Sequence, residues 1–145
     1  MILAIPAATD AYVRALKASG DLGTTVVVLD GPSPIDAGME GVAVGASLQD
    51  RAGDFTVPAS DMSSDTAQTF TLTCTAWARS GDTTFKAARD RVSQIVSIAD
   101  NVLAADRTLG GTVSTAWIAD GIFEQQLNEA GIVVTIEFRI EATVF

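Results

Sequence analysis

From residue 69 to its end the chain runs through three repeat lengths in succession, and these leave little freedom for the fold. Residues 69–79 alternate strictly. Phe70, Leu72, Cys74, Ala76 and Ala78 fall on one side, and Thr69, Thr71, Thr73, Thr75, Trp77 and Arg79 on the other. Successive side chains of a strand point to opposite faces, so this pattern predicts a strand with one face in a core. At Phe85 the spacing changes. Phe85, Ala88, Val92, Ile95, Ala99 and Val102 step by three and four, and Val96 and Leu103 widen the stripe. That spacing predicts a helix ending at residues 105–106, and burying most of its stripe contributes on the order of 10 kcal/mol before entropy is subtracted. Asp82 is positioned to cap its first turn. An aspartate at Val96 is expected to prevent folding.

Period two returns in the last third. Residues 112–127 and 132–145 are predicted to form the arms of a β-hairpin turning at 128–131, with a bulge or bend at Asp120-Gly121. Residues 122–127 fit either a strand or a short helical turn. At ~3.3 Å per residue the return arm reaches roughly 45 Å, long enough to overhang its own domain.

The N-terminal half is less regular. Pro6, the pair Tyr12 and Leu16, and Gly20 predict a helix over residues 6–19. Residues 24–29 and 41–48 read as strands, separated by the turn-forming run Asp30-Gly31-Pro32-Ser33-Pro34. Residues 49–65 have no sustained period and carry Asp50, Asp54, Asp61 and Asp65. Together these signals predict a single α+β domain over residues 1–145, with an irregular loop at about 49–68. Its sheet is expected to be mixed and mainly antiparallel, with two helices packed on it and a long C-terminal β-hairpin.

Chemical equipment is sparse. The chain has no histidine, and Cys74 is its one cysteine, on the apolar side of a strand, where it reads as a small core hydrophobe. A serine nucleophile lacks its usual base. Asp50, Asp54 and Asp61 do not match the twelve-residue calcium loop, and the glycines form no phosphate-binding pattern. Neither a cofactor nor a metal is expected, nor an enzyme. Trp77 and Trp117 read as core or interface residues. Eighteen acids against nine bases give a formal charge of −9, and the densest basic group is Lys86, Arg89 and Arg91 on one helix. Binding to a phosphate backbone needs more clustered cations than that. Glu137 and Glu141 flank Arg139 on one strand face, an arrangement that predicts cross-strand charge pairing. The apolar N-terminal run is too short for a membrane span and has no basic leader, so cytoplasmic synthesis is the expectation.

Several stretches, in order, carry a family likeness. They are Val-Val-Val-Leu-Asp-Gly-Pro at 26–32, Gly-Val-Ala-Val-Gly at 41–45 and Leu-Thr-Cys-Thr-Ala-Trp-Ala-Arg-Ser-Gly at 72–81. Ala-Ala-Arg-Asp-Arg-Val at 87–92, Leu-Gly-Gly at 109–111 and a β-rich tail after Gly131 follow. This succession resembles the tail terminator proteins of long-tailed bacteriophages, particularly those infecting actinobacteria. The resemblance implies a homo-oligomeric ring, a hexamer, in the tail or neck of a virion assembled in the host cytoplasm. It would cap the tail tube, end its polymerisation and meet the head–tail connector protein. DNA would pass through its lumen without specific binding. On that reading Glu137, Arg139, Glu141, Asp30 and Pro32 are candidate subunit-interface residues. Asp50, Asp54 and Asp61 are candidates for a loop facing lumen or partner, where acids repel phosphate. Rival readings are a neck or head-completion protein, a tail-tube subunit, or a small-molecule binding module using residues 49–65 as a lid.

Overall fold

A computed structural model describes residues 4–32, 39–46, 55–56, 68–80, 84–128 and 131–144. In chain order it contains α1 (Ile5–Ala18), a 3₁₀ turn (Gly20–Leu22), β1 (Val26–Asp30), β2 (Glu40–Val44) and β3 (Phe55–Thr56). These are followed by β4 (Gln68–Ser80), α2 (Phe85–Ala105), β5 (Thr115–Asn128) and β6 (Gly131–Val144). The strands form one sheet in the order β1-β2-β4-β6-β5, and β3 pairs with β4 beyond the end of β2. Only β1 and β2 run parallel; the other pairings are antiparallel. The fold is α+β, as the periodicity predicts.

The two longest alternating segments make the centre of this sheet. β4 and β6 pair over thirteen positions, from Gln68 opposite Val144 to Ser80 opposite Ile132. Such a long register holds because a one-residue slip would turn the whole apolar set away from the core. Phe70, Leu72, Cys74, Ala76 and Ala78 of β4 lie beside Ile132, Val134, Phe138, Ile140 and Ala142 of β6, all 2% exposed or less. Both helices cover this face. From α2, Ala88, Val92, Ile95, Ala99 and Leu103 are buried in it. Val96, expected inside the stripe, is only half-buried, because the helix axis centres Val92 and Ile95 over the sheet and turns Val96 toward β5. The substitution that breaks this packing is therefore one at Ile95.

Tyr12 ties the helices together. Its hydroxyl, fully buried, donates to the Ala99 carbonyl at 3.0 Å, and burial pushes its pKa well above the ordinary value. α2 starts after Thr84, which makes no side-chain cap, and Asp82 lies outside the described residues. After α2 the chain reverses through Leu109, Gly110 and Gly111, all at positive φ. Leu109 tolerates φ 48 because its side chain is 4% exposed and anchored in the core.

A partly shielded ion pair joins α2 to the sheet. Arg91 donates from Nε and from a terminal nitrogen to the two oxygens of Glu40, at 2.7 and 2.8 Å. This fork holds the Glu40 carboxyl below the usual carboxylate range, and a hydrogen bond from Thr25 adds to the effect. A carboxylate held low in the folded state stabilises above its unfolded pKa, and that stability is lost as pH falls through the folded pKa. Arg91→Met is expected to lower stability by about 1 kcal/mol at pH 7. It should also flatten the fall in melting temperature between about pH 5 and 3, where thermal melts at stepped pH would detect it. A variant whose acid profile matched the parent's would show that the pair contributes nothing.

Candidate functional site: the sheet edges and the outer strand

Three strands pair on one side only among the described residues: the two-residue β3, β1 and β5. β1 is five residues long, whereas β5 has fourteen. β5 pairs with β6 in register from Thr115 to Ile118, skips one residue, and resumes at Asp120 opposite Arg139. This is the bulge expected at Asp120-Gly121, displaced by one residue. It suits Gly121, where a Cβ would come within 3.1 Å of the Glu137 carbonyl oxygen. Residues 122–127 are strand rather than helical turn.

The outer strand exposes apolar side chains on both faces. Trp117 is 37% exposed on the face away from the helices, while Phe123 at 44% and Leu127 at 73% lie on the helix side. Beside Phe123 a shallow groove of about 450 Å³ runs between α2 and β5, with Val96, Ile118 and Ile136 as its apolar lining and Asp100 on its wall. A second groove, about 440 Å³, lies at α1 and the end of α2, lined by Ala11, Ala15, Val102 and Leu109 with Arg14 beside them. Asp106 also borders it, but both its oxygens accept hydrogen bonds from Thr108 and Gly110, which hold its pKa below the usual range.

The expected interface residues do not form one cluster. Asp30 and Pro32 are exposed at the end of β1. Register carries the row from Asp30 through Val44, Cys74 and Phe138 to Gly121, the full width of the sheet. Four strand spacings of ~4.8 Å make that roughly 19 Å. Arg139 lies near the far end of this row. It does not pair with Glu137 or Glu141. Its guanidinium forks onto Asp120 of β5, with Nε donating at 2.6 Å. Neighbours two apart along a strand face are farther away than the residue directly opposite, so the cross-strand partner wins. Glu137 and Glu141 act on Arg139 only at longer range, raising its pKa slightly after Asp120 has raised it.

Glu137 is 3% exposed, between Thr75 of β4 and Ile122 of β5, and its Oε2 has no hydrogen-bond partner among the described residues. A side chain so enclosed offers a neighbouring molecule almost no surface. Glu141 is half-buried opposite Trp117. Asp50, Asp54 and Asp61 lie outside the described residues.

Cys74 is completely buried, and desolvation pushes its thiol up to about 12, so it carries no thiolate at neutral pH. Among the described residues no three His, Cys, Asp or Glu side chains are grouped to hold a metal ion. No described helix is long and apolar enough to cross a membrane. Trp77 is structural: its indole lies across Gly41 on the neighbouring strand.

Sequence reasoning missed Phe123 and Leu127 as surface residues. Their one signal was the polar run Glu124, Gln125 and Gln126, which breaks the alternation between them. No protein-family model and no curated protein matches the sequence.

Proposed function

We propose that this chain is a structural ring subunit of a phage tail, a tail terminator that caps the tube and meets the connector. The observation that carries the reading is β5: a fourteen-residue outer strand with Trp117, Phe123 and Leu127 exposed. A long edge strand with exposed apolar side chains is an aggregation hazard in a monomer and a docking surface in an assembly. A closed ring needs two different surfaces on each subunit, one meeting the other on the next copy. The unlike edges of this sheet supply that asymmetry. The candidate residues Asp30 and Pro32 fall at one edge, and Arg139 with Asp120 near the other. The acid excess supports a lumen through which DNA slides without sticking. The order of motifs along the chain supports the terminator role within this structural class.

Native mass spectrometry across a concentration series, with negative-stain imaging of the same samples, tests the proposal. The expected result is a closed ring of six copies that does not stack. Open-ended cylinders would instead identify a tube subunit. A chain still monomeric at the highest soluble concentration would sink the ring reading.

A further inference from the structure

We infer that, below the concentration at which rings form, two copies of this chain pair edge to edge through β5, in an antiparallel register centred on Gln125. The contact does not rest on the ring reading. It occupies an edge that the ring also needs, so the pair must part before a ring closes.

The choice of β5 follows from how the open edges are built. Natural sheets blunt an open edge with a short strand, a bulge, lysine or proline. β3 has two residues, and β1 has five and runs into Asp30-Gly31-Pro32. β5 has fourteen, with a bulge between Ile118 and Asp120. Beyond that bulge, residues 121–128 include no Lys, Arg or Pro and a single acid, Glu124. Phe123, Gln125, Gln126 and Leu127 are exposed there. The outer edge of this stretch has no strand partner among the described residues. Only another β5 offers an open edge of equal length, so the matching occupant is a second copy.

Residue types select the register. Two copies of one strand paired about a twofold axis run antiparallel, and residues directly opposite share a sheet face. The axis therefore passes through a residue. Centring on Ile122 sets Glu124 opposite Asp120, and centring on Glu124 sets that acid opposite its own copy; like charges directly opposite destabilise. Centring on Phe123 leaves Leu127 facing the bulge, and centring on Gln126 sets Leu127 opposite Gln125. Centring on Gln125 pairs each Phe123 with Leu127 of the other copy, each Glu124 with Gln126, and Gln125 with itself. The two Glu124 residues become diagonal neighbours, ~7–8 Å apart, a weaker repulsion than direct opposition. Both exposed apolar side chains are thereby covered, beside the groove lined by Val96 and Ile136.

Cysteine scanning in the full chain tests the register. Cys74 is completely buried, so an introduced exposed cysteine is the reacting thiol. Under mild oxidation Gln125→Cys is expected to form a disulfide-linked dimer at least tenfold faster than Phe123→Cys or Leu127→Cys, whose own copies lie well apart in this register. Mixed in equal amounts, those last two are expected to cross-link to each other. All three positions are exposed, so the variants should melt like the parent. Equal rates at the three positions, or no heterodimer in the mixture, would overturn this pairing and leave the ring reading standing. Native mass spectrometry across a concentration series should show the parent passing from monomer through dimer to ring, because mass action favours the larger assembly as concentration rises. A series without a dimer also overturns the pairing, one that stops at the dimer overturns the ring reading alone, and a parent monomeric throughout overturns both. The oxidised Gln125→Cys dimer is expected to form no rings until it is reduced. Rings built from the oxidised dimer would overturn the competition between the two contacts.

Discussion

Ile95→Asp is expected to leave the chain unfolded at room temperature. Ile95 is fully buried on α2, in the same apolar cluster as Val92 and Ala99 and the inward residues of β4 and β6. Removing the isoleucine forfeits about 2–3 kcal/mol of apolar burial. The new carboxylate enters an apolar layer with no partner, at a cost of several kcal/mol more, even if it protonates. Domains of this size are stable by only about 5–15 kcal/mol, so the two losses consume most or all of the margin. Ile95→Val, which removes one methylene, is expected to cost about 1 kcal/mol and keep the fold. Far-ultraviolet circular dichroism and urea titration of both variants provide the check. A cooperatively melting Ile95→Asp protein would show that α2 does not pack by the face described.

The second large effect is expected at a glycine. A Cβ on Gly41 would sit 2.5 Å from Cζ2 of Trp77 and 2.6 Å from the Val27 carbonyl oxygen, both closer than real atoms approach. Rotating the indole relieves only the first clash, because the second is with the backbone of β1. The strands must therefore separate locally or the β1–β2 pairing must weaken. Gly41→Ala is expected to destabilise by about 3 kcal/mol, at the upper end of the usual overpacking range. At this chain length that corresponds to a fall of about 10 °C in melting temperature. Combining it with Trp77→Leu should recover part of the loss, giving a less-than-additive cycle. A Gly41→Ala protein that melts with the parent would mean that the indole does not cross this strand.

Local pattern carried most of the architecture. The alternation at 69–79 is β4, the three-and-four stripe from Phe85 is α2, and the last third is a hairpin whose ends shift by a few residues. These elements are legible because periodicity belongs to the segment itself and does not depend on what packs against it. The first strands were less legible. Residues 24–29 and 41–48 overlap β1 and β2, whose limits are Val26–Asp30 and Glu40–Val44, since short apolar strands carry no sharp stop signal. Val96 shows where the method ends. It belongs to the apolar stripe by spacing, yet the angle at which α2 crosses the sheet decides that it faces a groove.

The candidate surface was less legible still. Glu137, Arg139 and Glu141 on one strand face predict charge pairing across strands, and the register of β5 supplies Asp120 as the partner of Arg139 alone. Glu137 reads as a surface charge and is enclosed. Phe123 and Leu127 fall in residues 122–127, which fit either a strand or a helical turn and so have no assigned face. They are exposed because the core that buries Ala116 does not extend to the far end of β5, and no property of residues 115–128 specifies how far that layer reaches.

The sequence by itself determined the elements, the apolar faces of β4, β6 and α2, and a shortage of reactive groups that directs attention to assembly. Only the tertiary structure decided the strand order, and with it which strands lie at the edges. A side chain's chemistry is written in the chain, whereas its exposure depends on which neighbours the fold brings over it. That is why one hairpin holds both a deeply buried strand face and an outer strand with exposed apolar side chains.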